Sequence, residues 1–305
     1  MDQAQLLTIS HLTKHYPRMS VPALSNLSLQ VAAGEVYGFL GANGAGKSTT
    51  IRTLLNFLQP TSGTAQICGL DIVTRSTEAK RHVGYLAGEV ALYDNITGHR
   101  FLDYMGVLQP LPEASYRADL VHRFEADLSK PLGTLSKGNR QKIGIIQAFM
   151  HKPQVLILDE PTSGLDPLMQ EVFFDIVREA KERGACVFLS SHNLAEVQRV
   201  CDRVGFIRSG KLIREQSLSE LATSAAHTFD VTFRAKPPLR ELSAIPKSEI
   251  TASNDPHHVM VALPASSLPA FFAVLAKTDV IQFQQREANL EEEFLNFYRE
   301  EPHEQ

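Results

Sequence analysis

The sequence predicts an α/β fold: a mostly parallel sheet with helices on its faces, carrying a helical insert, followed by a small α+β domain. Three observations lead there. Up to about residue 222, short apolar runs alternate with helix-spaced stretches. Between Glu89 and Met150, β-branched runs give way to helix formers. After Ser224 the composition shifts and strand-like alternation returns. The expected division is residues 1–222, with a helical subdomain at about 89–150, and residues 226–305.

Val36-Tyr37-Gly38-Phe39-Leu40 is an apolar run leading into glycine and reads as a buried strand. Lys47 to Phe57 carries apolar residues at helical spacing, with Pro60 as its stop. Val155 to Leu158 and Cys186 to Leu189 read as further buried strands, and Asn193 to Val200 as a helix. Gly205 to Leu212 reads as a hairpin turned at Ser209-Gly210. In the last part, Phe229 to Phe233 and Val259 to Leu263 alternate like strands, and Pro237-Pro238 interrupts them. Leu268 to Ala276 reads as a helix and Val280 to Gln284 as a strand. Leu290 to Tyr298 is an amphipathic helix by its Leu290, Phe294 and Phe297 spacing, and the acidic tail after Arg299 is expected to fray.

The chain has 305 residues and a formal charge of −4, so no global basic field favours nucleic acid. Cys68, Cys186 and Cys201 form no CxxC pair and no zinc pattern, which suits buried thiols in a reducing compartment. Met1 to Gln5 lacks the start of a signal peptide. No run approaches the roughly 18 apolar residues of a membrane span, so a function at a membrane requires another polypeptide. His257-His258 beside Asn254-Asp255-Pro256 reads as a solvated loop and not a metal site.

Two segments carry chemistry. Gly41-Ala42-Asn43-Gly44-Ala45-Gly46-Lys47-Ser48, with Thr49 following, fits GxxxxGK[ST] without a mismatch between a strand and a helix. Its glycines let backbone N–H groups wrap phosphate oxygens, and the helix presents its positive end to the same anion. Lys47 is suited to the β- and γ-phosphates, and the Ser48 hydroxyl to Mg²⁺, a cation that prefers oxygen. Val155-Leu156-Ile157-Leu158-Asp159-Glu160 is the second segment. Its aliphatics bury a strand on both faces, and its acids emerge at the C-terminal end, where such sheets bind ligands. Asp159 is placed to hold Mg²⁺ directly or through water, and Glu160 to orient or deprotonate an attacking water.

Together these segments resemble the ATP-binding-cassette (ABC) ATPases, a P-loop NTPase fold. Four further segments extend the resemblance over about residues 6 to 222. Leu135-Ser136-Lys137-Gly138-Asn139-Arg140-Gln141 is similar to the family signature. Pro161-Thr162-Ser163-Gly164-Leu165-Asp166-Pro167 is similar to its D-loop, Ser191-His192 to its switch histidine, and Tyr16 to the aromatic that stacks on adenine. The resemblance implies a Mg²⁺-dependent ATPase in which two cassettes sandwich ATP, each between its own Walker A loop and the partner's signature. Ser136, Lys137, Gly138 and Asn139 would then face the partner's ATP, while His192 supports the water held by Glu160. Ser136 is also suited to cap a helix.

Two departures stand out. The signature has Lys137 and Asn139 where the commonest form has Gly and Gln. In Val83-Gly84-Tyr85-Leu86-Ala87-Gly88-Glu89, Gly88 stands where the family's Q-loop carries Gln, which leaves its metal contact to water and its coupling role to Glu89 or the backbone.

Leu290 to Leu295 and Leu92 to Gly98 resemble segments of drug- and lipid-type exporters. The expected assembly is the cytoplasmic engine of an ABC-2-type exporter, peripheral on the inner face of the cell membrane, with a second cassette and a separate transmembrane permease. The alternative is a cassette protein acting on ribosomes or nucleic acid. The single motif set and the lack of sustained heptads argue against that. A purely regulatory nucleotide module fits poorly with Glu160 and His192 present together.

Overall fold

The computed structural model describes residues 4–286 apart from 18, 90–93, 110–112, 219–226 and 254. It divides into two compact units, Met1–Ser217 and Leu218–Gln305, so the boundary falls ahead of the expected 222. The reason is local: the final strand of the first sheet runs through to Ser217. The expected helix at Leu290 to Tyr298 lies outside the described residues.

The first unit is built on a six-stranded sheet in the order β10-β9-β3-β8-β7-β6. These strands are β3 (Val36–Leu40), β6 (Val83–Leu86), β7 (Val155–Asp159), β8 (Cys186–Ser191), β9 (Arg203–Arg208) and β10 (Lys211–Ser217). All neighbours pair in parallel except the β9–β10 hairpin. β3, β7 and β8 are buried at every position, which is why they read as unbroken apolar runs. The hairpin turn is Ser209-Gly210, both at positive φ, as a two-residue turn between twisted strands requires.

A second, antiparallel sheet was not foreseen: β1 (Gln5–Lys14), β2 (Leu24–Ala32), β4 (Ser62–Ile67) and β5 (Leu70–Asp71), ordered β2-β1-β4-β5. Its strands bury one face only, so their apolar signal is diluted by exposed positions and by bulges in β1.

α1 (Lys47–Leu54) is shorter than expected and ends well before Pro60. Asn56 takes a left-handed φ of 52°, and the N–H groups of Phe57 and Leu58 fold back to the Arg52 carbonyl. The insert contains α3 (Gly98–Leu108), α4 (Ala114–Arg123) and α5 (Lys137–Phe149), after the short α2 (Ser76–Lys80). α6 (Pro167–Glu182) and α7 (Leu194–Val200) complete the unit and start on the side-chain caps Asp166 and Asn193.

The second unit is a four-stranded antiparallel sheet, β12-β13-β11-β14. It comprises β11 (His227–Phe233), β12 (Glu249–Ala252), β13 (His258–Leu263) and β14 (Val280–Arg286), with helices α8 (Leu239–Ser243) and α9 (Leu268–Leu275). Phe229, Val231, Val261, Leu263 and Phe271 form its own core. β12 and α8 are too short for periodicity to expose. The solvated-loop reading of His258 is corrected: it begins β13, and its Nε2 lies 3.0 Å from Asp230 Oδ1. No helix among the described residues is long and apolar enough to cross a membrane.

Candidate active site

The site forms where β3, β8 and β7 end side by side. The glycine-rich loop follows β3, Glu160 follows β7, and His192 follows β8. Ser48 and Asp159, 111 positions apart in sequence, thereby become neighbours.

The loop between β3 and α1 turns through Gly44 and Gly46, at φ 82° and 116°. A β-carbon at Gly46 would press against the Ala23 carbonyl at 3.0 Å, and one at Gly41 would strike the Ile207 carbonyl at 2.6 Å. The loop is pinned from both sides. Gly41 N–H donates to the Ser191 carbonyl at 3.3 Å, and Gly210 N–H donates to the Ala45 carbonyl at 2.8 Å. No side chain caps the N-terminus of α1, so its first-turn N–H groups face the loop's concavity without a side-chain acceptor.

The chemistry-bearing side chains meet at this loop. Lys47 is buried, its Nζ donating to the Gly41 carbonyl at 2.6 Å and standing 3.3 Å from Glu160 Oε1. Ser48 Oγ donates to Asp159 Oδ2 at 3.1 Å. The other Glu160 oxygen, Oε2, lies 2.7 Å from His192 Nδ1, whose ring is otherwise exposed. Glu160 takes a left-handed φ of 48°, held by its N–H to the Ser190 carbonyl and by Ser163 N–H to its own carbonyl. A non-glycine residue keeps such a conformation only where its surroundings over-determine it.

An open cleft of about 950 Å³ runs over this cluster. Of the expected ATP-binding set, Tyr16, Ala42, Asn43, Gly44, Gly46, Lys47, Ser48 and Thr49 line it; Gly41 and Ala45 do not, and serve the loop's backing. Asp159, Glu160, His192, Lys137 and Ser163 also line it. Met19, Val21, Arg52 and Tyr85 join them and were missed, because isolated residues outside a motif carry no periodic or spacing signal. Lys14 Nζ sits 5.5 Å over the Tyr16 ring centroid, a cation–π contact.

Gly88 lies against Asp159. A β-carbon there would be 3.4 Å from Asp159 Cγ and Oδ2, an ordinary contact. Glu89 and Tyr85 line the same cleft, and burial together with the nearby Asp159 carboxylate pushes the Tyr85 phenol up. Gly88→Gln therefore meets no clash at its β-carbon, and it stands on the wall of the open cleft. The expected result is a metal–nucleotide affinity raised about tenfold, the scale on which groups around a metal act, read by calorimetry with unchanged thermal stability. Unchanged affinity and an unchanged ATPase response to a partner would remove Gly88 from a coupling role.

The signature segment is not brought to the phosphate loop as a whole. Ser136 Oγ caps α5 by accepting from Asn139 N–H at 3.3 Å. The close approach that Gly138 permits is to the Gly164 carbonyl, which a β-carbon would meet at 2.6 Å. Lys137 Nζ donates to Ser163 Oγ at 2.9 Å, and Gln141 Nε2 to the Pro161 carbonyl at 2.8 Å. Within one chain, then, the signature grips the D-loop. Leu165 is buried and Asp166 caps α6 through Met169 N–H at 3.0 Å.

Chemically, the arrangement offers an anion cradle with one buried ammonium, a hydroxyl–carboxylate pair of hard oxygens, and a second carboxylate steadied by an imidazole. That donor set fits Mg²⁺ and a triphosphate.

Comparison with known proteins agrees. The sequence profile of the ABC transporter family matches residues 24–163. The chain is 35% identical over 227 residues to the ABC transporter ATP-binding protein NatA of Bacillus subtilis (strain 168), covering 72% of this chain and 92% of that protein. It is 37% identical over 213 residues to the bacitracin transport ATP-binding protein BcrA of Bacillus licheniformis, covering 69% of each. A solved structure of the ATP binding subunit of an ABC transporter superposes with a TM-score of 0.66 at 31% identity, covering 71% of this chain and 91% of that one.

Proposed function

Since the chain belongs to the ABC transporter ATP-binding family, we propose that it is the Mg²⁺-dependent ATPase of an ABC-2-type exporter, working as a cassette dimer on a separate permease. The observation that carries this reading is the convergence of Lys47, Ser48, Asp159, Glu160 and His192 at one cleft. Each supplies a part that phosphoryl transfer to water requires.

Lys47 engages the β- and γ-phosphates when ATP enters, giving up its contact with Glu160 Oε1. Glu160, released on that side and still oriented by His192, accepts the proton of the attacking water. Ser48 and Asp159 would hold Mg²⁺, which neutralises charge on the phosphate oxygens when bound. Tyr16 offers its ring face to the base, as sequence-tolerant stacking requires.

Ser136, Gly138 and Asn139 are not among the residues lining the chain's own cleft, which supports their use in trans on a second cassette. The export reading draws on the bacitracin transport relative and on the separate C-terminal unit. Docking on the helical insert is supported by the exposed Tyr104, Val107 and Leu108 of α3. On this reading the chain lies on the cytoplasmic face of the membrane.

The test is co-expression with any multi-span membrane protein found in a neighbouring reading frame. We expect a detergent-stable complex whose ATPase rate differs from that of the isolated chain. Active ATPase with no such complex, but with ribosome or nucleic-acid association, would replace export with the alternative.

A further inference from the structure

We propose that Ser190 is a positioning residue for Asp159, holding the metal-side carboxylate in place as nucleotide binds. The inference rests on the ATPase reading above and extends it to a residue that no motif includes.

Ser190 lies near the end of β8, a central strand buried at every position. Cys186 to Leu189 are apolar, as such a strand demands. Ser190 breaks the rule while remaining fully buried. A buried hydroxyl needs a partner, and here the partner is functional: Ser190 Oγ donates to Asp159 Oδ1 at 2.5 Å. The two residues are paired in register across parallel strands, so the contact is set by the sheet itself.

The same residue also holds the second acid. Its carbonyl accepts the Glu160 N–H at 3.1 Å, helping to fix the left-handed turn that separates the Asp159 and Glu160 side chains. Ser190 thus brackets Asp159 with its side chain and Glu160 with its backbone. Only the first bracket can be removed by substitution.

The other Asp159 oxygen accepts from Ser48 Oγ. Ser48 is the hydroxyl suited to Mg²⁺: its lone pairs are open to a metal while its one proton stays on Asp159 Oδ2. Ser190 holds the opposite carboxylate oxygen, Oδ1, from the neighbouring strand. It is the fixed point about which the metal-side oxygen stays aimed.

The test uses the full chain with Mn²⁺ as a spectroscopic probe, titrated by electron paramagnetic resonance in the presence of a saturating non-hydrolysable ATP analogue. Ser190→Ala is expected to raise the Mn²⁺ dissociation constant about tenfold or more, the range for partners of metal-binding carboxylates. Metal-free nucleotide affinity should not change, kcat should fall, and Ser190→Thr should restore both metal affinity and kcat. If Ser190→Ala does not fold, Ser190→Cys carries the same measurement, since a thiol fills the space but donates weakly. Wild-type Mn²⁺ affinity in the folded variant overturns the proposal, and so does an equal loss of metal-free nucleotide binding. A wild-type chain that binds neither nucleotide nor Mn²⁺ is a different result, and overturns the ATPase reading instead.

Discussion

Glu160→Gln is expected to bind ATP at least as well as the parent chain and to hydrolyse it about 10²–10⁴-fold more slowly, the usual worth of a positioned general base. The substitution keeps the shape of the side chain and a carbonyl oxygen for His192 Nδ1, now 2.7 Å from the carboxylate. It removes the charge that accepts a proton. It also removes the anion beside Lys47, so the ammonium no longer has to leave Glu160 Oε1 in order to meet phosphate. Affinity should therefore hold or rise. With hydrolysis blocked, ATP-bound cassettes should accumulate as dimers by mass action, visible by size-exclusion chromatography with nucleotide. Single-turnover hydrolysis near the parent rate would take the general-base role away from Glu160.

Lys47→Ala should act at the earlier step. A hydrogen bond to a charged group contributes about 1.5–3 kcal/mol, so ATP affinity should fall by roughly ten- to a hundredfold. A second effect adds to the first. Lys47 Nζ also donates to the Gly41 carbonyl at 2.6 Å and spans the loop that it serves, so the empty loop loses an internal tie. Lys47→Arg is not a conservative control, because a planar fork does not fit a buried point-charge site. Equilibrium titration with a fluorescent ATP analogue reads the effect directly. Parent-like affinity in Lys47→Ala would mean that phosphate is held by the backbone alone.

Much of this site was legible from the chain, for a physical reason. A strand buried on both faces leaves an unbroken aliphatic signature, so Val155 to Leu158 announces itself and delivers Asp159 and Glu160 to its end. The phosphate loop is equally plain, because few sequences satisfy its backbone. What stayed hidden depends on the sheet's lateral order. Nothing in the spacing of Lys47 and Glu160 reveals that β3, β8 and β7 lie side by side, and hence that the two side chains stand 3.3 Å apart. Nor does the sequence reveal that Lys137, expected to face a partner's ATP, reaches Ser163 Oγ of its own chain. Ser190 gave a faint signal, a hydroxyl where a core strand should be apolar, whose meaning depends on its neighbour across the ladder. The half-buried strands β1, β2 and β4 are the opposite case. Their alternation is real, but bulges break its phase.

The turn at Ser209-Gly210 links distant parts of the chain. Gly210 donates to Ala45 within the nucleotide loop, its carbonyl accepts from Ser25 N–H at 2.9 Å, and a β-carbon there would lie 2.5 Å from the Ala23 carbonyl. The lysine loop is therefore finished by almost the last residues of its unit to leave the ribosome. A nascent or truncated chain ending before residue 209 contains every recognisable motif and still lacks the wedge that shapes the first of them.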